Sequence, residues 1–404
     1  MRKIIAWLSV LALTILLPAC AIAEEETDYE NLSSLTAAYG FRLGAPLSYG
    51  QMWDRNYQAF VAKHFNSITT TNEMKAYSLL DQTASRKAED GMPRMNYKQA
   101  DEMVAWAQKN GIGVRGHVLV WDAYMCDWFF RVGYANGAAY ADAETIKART
   151  EYYITQVVNH FEEKFPGVVY CWDVVNEAVG DNAGEFNPSD PRHLRIKRNG
   201  GVNLFQKYMG DDYVELAFLY ARNAVDALGA DIKLYYNDYN AYFAEKATAI
   251  RALAKSVNSF AVDENSNPRK LMDGIGMQGY IGGYGVQEGC LVDSHVDMIK
   301  NEIQNYAALD LEVQITEMAV RNFDKEQAEK HAAFYAKLFS MFTSLYQDGE
   351  TPLKAVSIWG LTDYPKEPKG TYVYNLNSPY GGLVTEKYQY KDAFRQVYGV
   401  LKGE

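Results

Sequence analysis

Eight short apolar runs, separated by long amphipathic blocks, constrain this chain more than any other feature. They are YGFRLGAPL (39–47), FNSITTTNE (65–73), GVRGHVLVW (113–121), VVYCWDVVNE (168–177), IKLYYNDYN (232–240), MDGIGMQGY (272–280), LEVQITEMAV (311–320) and AVSIWGLTD (355–363). Between them apolar residues recur every three and four positions, as in 143–165 and 212–229, which is the period of a helix with one buried face. Asn110 and Gly111 before the third run, and Gly229 before the fifth, mark helix ends, where a residue must enter the left-handed region. No Pro/Ser-rich linker interrupts the alternation. Strand and helix signals in this order predict parallel βαβ units closed into a single-domain α/β fold, a (β/α)8 TIM barrel. An open doubly wound sheet is the rival.

The barrel explains the polar residues better, because each run carries them at its C-terminal end: Asn72-Glu73, Trp121-Asp122, Asn176-Glu177, Asn237-Asp238, Gln278, Glu317 and Thr362-Asp363. In a barrel those ends ring one mouth, where active sites sit.

Composition narrows the chemistry. A formal charge of -11 without a Lys/Arg-rich run argues against a nucleic-acid partner, since such binding rests on phosphate neutralisation. The histidines (His64, His117, His160, His193, His295, His331) include no pair at helical metal spacing, and Cys126, Cys171 and Cys290 match neither a metal knuckle nor a disulfide framework. Gly282, Gly283, Gly285 and Gly289 lack the lysine of a phosphate loop. No cofactor is expected. At the N-terminus Arg2 and Lys3 precede an apolar run from Ile4 to Leu17, too short for a membrane span. Ala21-Ile22-Ala23 fits a cleavage site, giving an export leader over 1–23, a mature domain over 24–404 and a secreted product. The alternative is lipidation at Cys20, whose context resembles a lipoprotein box. Tyr388 to Leu401 reads as the last helix, with no binding module after it.

Glu177 stands at the end of the fourth run and Glu317 at the end of the seventh, on strands that face each other across an eight-membered ring. Two carboxyls about 5–5.5 Å apart are the machinery of a retaining glycosidase, one attacking the anomeric carbon and the other protonating the departing oxygen. At that separation their repulsion is roughly 3 kcal/mol, or about two pKa units, enough to keep one protonated while the other is ionised. Asn176, just before Glu177, offers an amide for a sugar 2-hydroxyl.

The stretches TTNEMK (70–75), GHVLVW (116–121), WDVVNEAV (172–179), YYNDYN (235–240), GIGMQ (274–278), LEVQITE (311–317) and SIWGLTD (357–363) together resemble a glycoside hydrolase family 10 endo-β-1,4-xylanase, from about Tyr39 to Tyr398. The resemblance implies that Glu177 is the acid/base and Glu317 the nucleophile. It implies sugar contacts by Asn72, Glu73 and Lys75 on the non-reducing side, by His117, Trp121, Asn176 and Gln278 around the attacked sugar, by Trp359 beneath it and by Tyr239 on the leaving-group side. Trp172 is expected in the core. The implied partner is plant xylan and the expected state a monomer. Alternatives are a β-1,4-glucan or other hexan substrate on the same barrel, or a non-catalytic carbohydrate-binding relative.

The sequence departs from the family at four places. Asp122 stands where a His is usual, Tyr280 where a His holds the nucleophile, Ala319 where an Asp backs that His, and the second Trp after the eighth run is missing from 363–374, where Tyr372 or Tyr374 is the substitute. Tyr280 and Ala319 make sense as one change: a phenol donates to a carboxylate without needing an anion behind it. Tyr280 is therefore expected to donate to Glu317.

Overall fold

The computed structural model describes residues 28–180, 202–281, 291–364 and 378–404. The segment expected as an export leader, Cys20, His193, the Gly282–Gly289 stretch, Cys290, Tyr372 and Tyr374 lie outside the described residues. Residues Asn31–Glu404 form one compact unit.

Its centre is a closed ring of eight parallel strands: β1 (Arg42–Leu47), β2 (Ser67–Thr70), β3 (Gly113–Val120), β4 (Val169–Asn176), β5 (Lys233–Asp238), β6 (Gly274–Met277), β7 (Glu312–Val320) and β8 (Leu353–Ile358). Closure comes from β8 returning to β1, with Leu43 opposite Val356 and Gly44 opposite Ser357. The two residues Tyr280–Ile281 add a short parallel pairing to the far end of β7, placing Tyr280 opposite Ala319. Seven of the eight apolar runs contain a barrel strand and the eighth overlaps one that starts two residues earlier, at Leu353; the barrel, not the open sheet, is the fold.

The signalled helices form where their periodicity places them, at Ala143–Lys164 and Tyr213–Leu228. The first is capped by Asp142, which accepts from the Thr145 N–H, and the second ends on Gly229 at φ 62°. Lys98–Lys109 stops at Asn110, followed by Gly111 at φ 67°. The last helix, Asp392–Lys402, starts later than expected. Tyr388 takes φ 62° and donates to Asp54, and Tyr390 bridges Val384, so this stretch is held as a loop before the helix begins.

The strands bury different side chains on their two faces, toward the helices and toward the barrel axis. Trp172 is fully buried against Phe161, with ring centroids 5.8 Å apart, and a Cβ on Gly116 would sit 2.3 Å from the indole. Glycine on β3 thus makes room for a tryptophan on β4, which places Trp172 in the core as expected. On the opposite face of the same strands, inside the barrel, Arg115 donates to Asp173 through both terminal nitrogens, at 2.9 and 2.5 Å, and through Nε to Gln314 at 2.6 Å. His117 Nδ1 adds a further bond to Asp173 at 2.8 Å. Burial pushes the Asp173 carboxyl pKa up, but Arg115 and His117 outweigh it and hold the group below the usual carboxylate range. Of the cysteines, Cys126 and Cys171 are free thiols. Among the described residues no helix is long and apolar enough to cross a membrane.

Candidate active site

Chain geometry at the end of β4 is unusual. Glu177 has φ 52°, in the left-handed region that costs a non-glycine residue about 1–2 kcal/mol. Three hydrogen bonds hold it there. The Glu177 N–H donates to the Asn237 carbonyl at 2.9 Å, and the next two N–H groups, of Ala178 and Val179, both donate to the Tyr236 hydroxyl at 3.0 and 2.9 Å. Tyr236 in turn donates to Asp238 at 2.5 Å, and Asp238 is paired with Lys246 at 2.8 Å. The turn lifts Glu177 out of the strand direction at the mouth, where it remains mostly covered.

Glu317 lies within β7, its N–H donating to the Gln278 carbonyl at 2.8 Å. One carboxylate oxygen accepts from the Tyr280 hydroxyl and the other from Asn237 Nδ2 at 3.3 Å. The amide of Asn237 is oriented by Thr316, whose hydroxyl donates to Asn237 Oδ1 at 2.7 Å, so its NH2 faces Glu317 and Asn176 Oδ1, the latter at 2.8 Å. A Cβ on Gly276 would lie 2.3 Å from that Oδ1, so the glycine on β6 is what lets Asn237 occupy this place. Gln278 Nε2 then reaches both Asn176 Oδ1 at 3.4 Å and Glu177 Oε1 at 3.0 Å. The two carboxylates are thus joined through three neutral amide side chains. Asn176 Nδ2 is buried and has no hydrogen-bond partner in this network, a cost of about 1–3 kcal/mol unless a ligand supplies an acceptor.

Around this centre stand the other expected residues. Both Glu73 oxygens accept backbone N–H groups, from Tyr49 at 2.7 Å and Asn72 at 3.0 Å, so this side chain fastens two rim loops together. Lys75 donates to Asn72 Oδ1 at 3.1 Å and lies over the rings of Tyr124 and Trp121, at 4.7 and 5.2 Å. Trp121 also packs on Tyr124, with centroids 4.4 Å apart. His117 keeps its Nδ1 hydrogen on Asp173, which leaves Nε2 as the acceptor when the ring is neutral. Tyr239 is half-buried beneath Lys246, whose ammonium is 3.6 Å from its ring centre. Trp359 is half-buried just past β8, its backbone N–H donating to the Met318 carbonyl at 2.8 Å.

Glycosyl hydrolase family 10 matches the chain over residues 31–400. The protein belongs to that family. Endo-1,4-β-xylanase B of Butyrivibrio fibrisolvens is 29% identical over 379 residues, which are 92% of this chain and 53% of the relative, so this chain spans about half its length. Among solved structures, the CBM22-1 and family 10 modules of Clostridium thermocellum endo-1,4-β-D-xylanase 10B, complexed with xylohexaose, align with a TM-score of 0.76 at 28% identity, covering 92% of this chain and 68% of that one. An intracellular xylanase of Thermoanaerobacterium saccharolyticum, solved as a mutant with xylotriose, aligns at 0.70 and 28%, covering 92% and 98%.

Within this family 10 hydrolase the structure brings Glu177, Glu317, Asn176, Gln278 and Tyr280 into one network. The Tyr280 hydroxyl donates to Glu317, and Ala319 beside it is buried and offers no side-chain partner. Asp122 opens a short 3-10 turn, Asp122–Tyr124, at half-burial on the rim. Asp173 and Asp238 each serve a neighbour, His117 and Tyr236 respectively. Two residues escaped the sequence reading. Asn237 stands at the end of its run but signals nothing about reaching β7, and Tyr236 looks like any buried strand aromatic. The one available signal for Asn237 was the bare glycine pattern GIG on the adjacent run. Among the described residues no cluster of His, Cys, Asp or Glu is arranged to hold a metal ion.

Proposed function

We propose that this family 10 hydrolase is a retaining endo-1,4-β-xylanase acting on xylan and xylo-oligosaccharides. The observation that carries the reading is the buried, unpartnered Nδ2 of Asn176 in the amide chain between two carboxylates: a donor waiting for an acceptor such as a sugar 2-hydroxyl, where a glycosidase needs one. Similarity to proteins named as xylanases, two of them solved with xylo-oligosaccharides, supports xylose rather than glucose units.

In the proposed reaction Glu317 attacks the anomeric carbon as the bond to the departing sugar oxygen breaks and that oxygen takes the Glu177 proton. Water then gives a proton to Glu177, its oxygen attacks the same carbon, and the Glu317 carboxylate leaves. Two inversions give net retention. No cofactor enters either step. Asn72, Glu73 and Lys75 contact the non-reducing-side sugars. His117, Trp121, Gln278 and Trp359 enclose the attacked ring and Tyr239 meets the leaving group. Apolar pyranose faces lie on the aromatic rings while hydroxyls meet the polar groups.

Hydrolysis of chromogenic β-xylobioside and β-cellobioside, with the product anomer followed by proton NMR, tests this reading. Faster release from the xylobioside with the β-anomer formed first is expected. A cellobioside preference moves the substrate to glucan, initial α-anomer overturns retention, and no hydrolysis of either leaves a binding protein. The reading includes export with cleavage after Ala23, checked by the N-terminal sequence of the secreted protein. A lipid on Cys20 is the alternative outcome.

A further inference from the structure

The left-handed turn at Glu177 is held from outside the reacting centre, and the residue that holds it has no place in the scheme above. Tyr236 uses all of its hydroxyl's capacity at once. Two consecutive backbone N–H groups, of Ala178 and Val179, fill its acceptor positions at 3.0 and 2.9 Å, and its hydrogen goes to Asp238 at 2.5 Å. Asp238 is charge-paired with Lys246 at 2.8 Å, and the Lys246 ammonium lies 3.6 Å from the ring centre of Tyr239. Every member of this chain except Tyr239 is buried.

We infer that Tyr236 is a positioning residue for proton donation: it clamps the strained backbone that carries Glu177 and ties it, through Asp238 and Lys246, to the leaving-group-side ring of Tyr239. The inference rests on the assignment of Glu177 as the acid. Glu317 is held by Asn237, Tyr280 and the Gln278 carbonyl; Asn237 and Gln278 also reach Glu177, but the Tyr236 hydroxyl bonds to none of the groups that hold Glu317. A defect at Tyr236 therefore falls on protonation of the departing oxygen and spares attack on the anomeric carbon. The physical reason is local. Without the hydroxyl, two adjacent N–H groups lose their acceptor and the backbone relaxes from the left-handed region toward lower-energy angles, carrying the carboxyl away from the oxygen it must reach within about 3 Å.

Leaving-group dependence separates this from a general loss of structure. A 2,4-dinitrophenolate leaves without a proton, whereas a weakly acidic phenol or a sugar alcohol needs one. Wild type, Tyr236→Phe and Glu177→Gln are assayed on a series of aryl β-xylobiosides spanning leaving-group pKa. For Tyr236→Phe, kcat/KM is expected to fall roughly 10-fold or more on the poorest leaving groups, within the 10²–10⁴ range of general acid catalysis, and less than about 3-fold on the dinitrophenyl substrate. Glu177→Gln should show the same tilt more steeply. Equal loss across the series, or no loss, overturns the role of Tyr236. If Glu177→Gln is itself flat, the acid assignment fails instead. Should Tyr236→Phe not fold, Asp238→Asn, which weakens the grip on the same hydroxyl, is expected to tilt the series in the same direction, and a flat response there also overturns the inference.

Discussion

Asp173 and Glu317 are both carboxylates on barrel strands, both mostly or wholly covered, and they are satisfied in opposite ways. Asp173, in the layer below the mouth, takes two bonds from the Arg115 guanidinium and one from His117. Glu317, at the mouth, takes one from the Asn237 amide and one from the Tyr280 phenol. A guanidinium stabilises the full negative charge, which suits a group that must stay ionised and still. In the proposed reaction Glu317 gives up that charge as it bonds to carbon, so a cation beside it would stabilise the starting state more than the transition state. Neutral donors orient the group without that penalty. Of these two carboxylates, only Asp173, which takes no part in the proposed reaction, is paired with a guanidinium.

Four experiments break or sharpen this contrast. Glu317→Ala removes the reacting group outright and is expected to lower kcat on the order of 10⁴-fold or more, while leaving the unfolding midpoint close to wild type. Azide should restore turnover on an activated aryl xyloside and give product of inverted anomeric configuration, which NMR would detect. Arg115→Met addresses the other side of the comparison: with Asp173 left charged, buried and short of its main partner, stability should fall by about 3–5 kcal/mol in urea titration. A loss under 1 kcal/mol would mean that the pair contributes little. Tyr280→Phe keeps the ring but removes one of the two donors to Glu317. Glycosylation should slow by ~1.5–3 kcal/mol, roughly 10- to 150-fold, while unchanged turnover would remove Tyr280 from the machinery.

The smallest expected effect is on acid stability. His331 is buried behind the end of β7 with Nε2 3.2 Å from the Val320 carbonyl, to which it donates. Burial, with the Lys391 charge adding to it, lowers its pKa from 6.5 to about 4. Between those values the unfolded chain binds the proton and the folded one does not, so stability is complete above about pH 6.5 and lost as pH falls toward 4. Unfolding free energy should drop by about 2 kcal/mol between pH 7 and pH 5 through this group, and His331→Gln should flatten that part of the curve.

Much of the fold was legible because its signals are local. Apolar runs and helical periodicity need only near neighbours in sequence, and all eight runs fall on barrel strands. Run ends were less exact. The strand in 65–73 is only Ser67–Thr70, and Asn72 to Lys75 follow on the rim loop. The stretch 388–391 reads as the start of the last helix, but a left-handed Tyr388 and its hydrogen bond to the distant Asp54 hold it as a loop.

At the site, Glu177, Glu317, Asn176 and Gln278 were marked by their residue types at strand ends, and Tyr280 by a departure that made chemical sense together with Ala319. Residue type and order along the chain were enough to nominate these five and to close the ring. The sequence could not say that Asn237 crosses to Glu317, that Glu73 spends its oxygens on backbone N–H groups, or that Tyr236 grips the turn after Glu177. Those facts depend on which side chains from β4, β5, β6 and β7 come within about 3 Å of one another, and hydrogen bonds are decided at that range. Strand pairing and barrel curvature set such distances, and no window of sequence contains them.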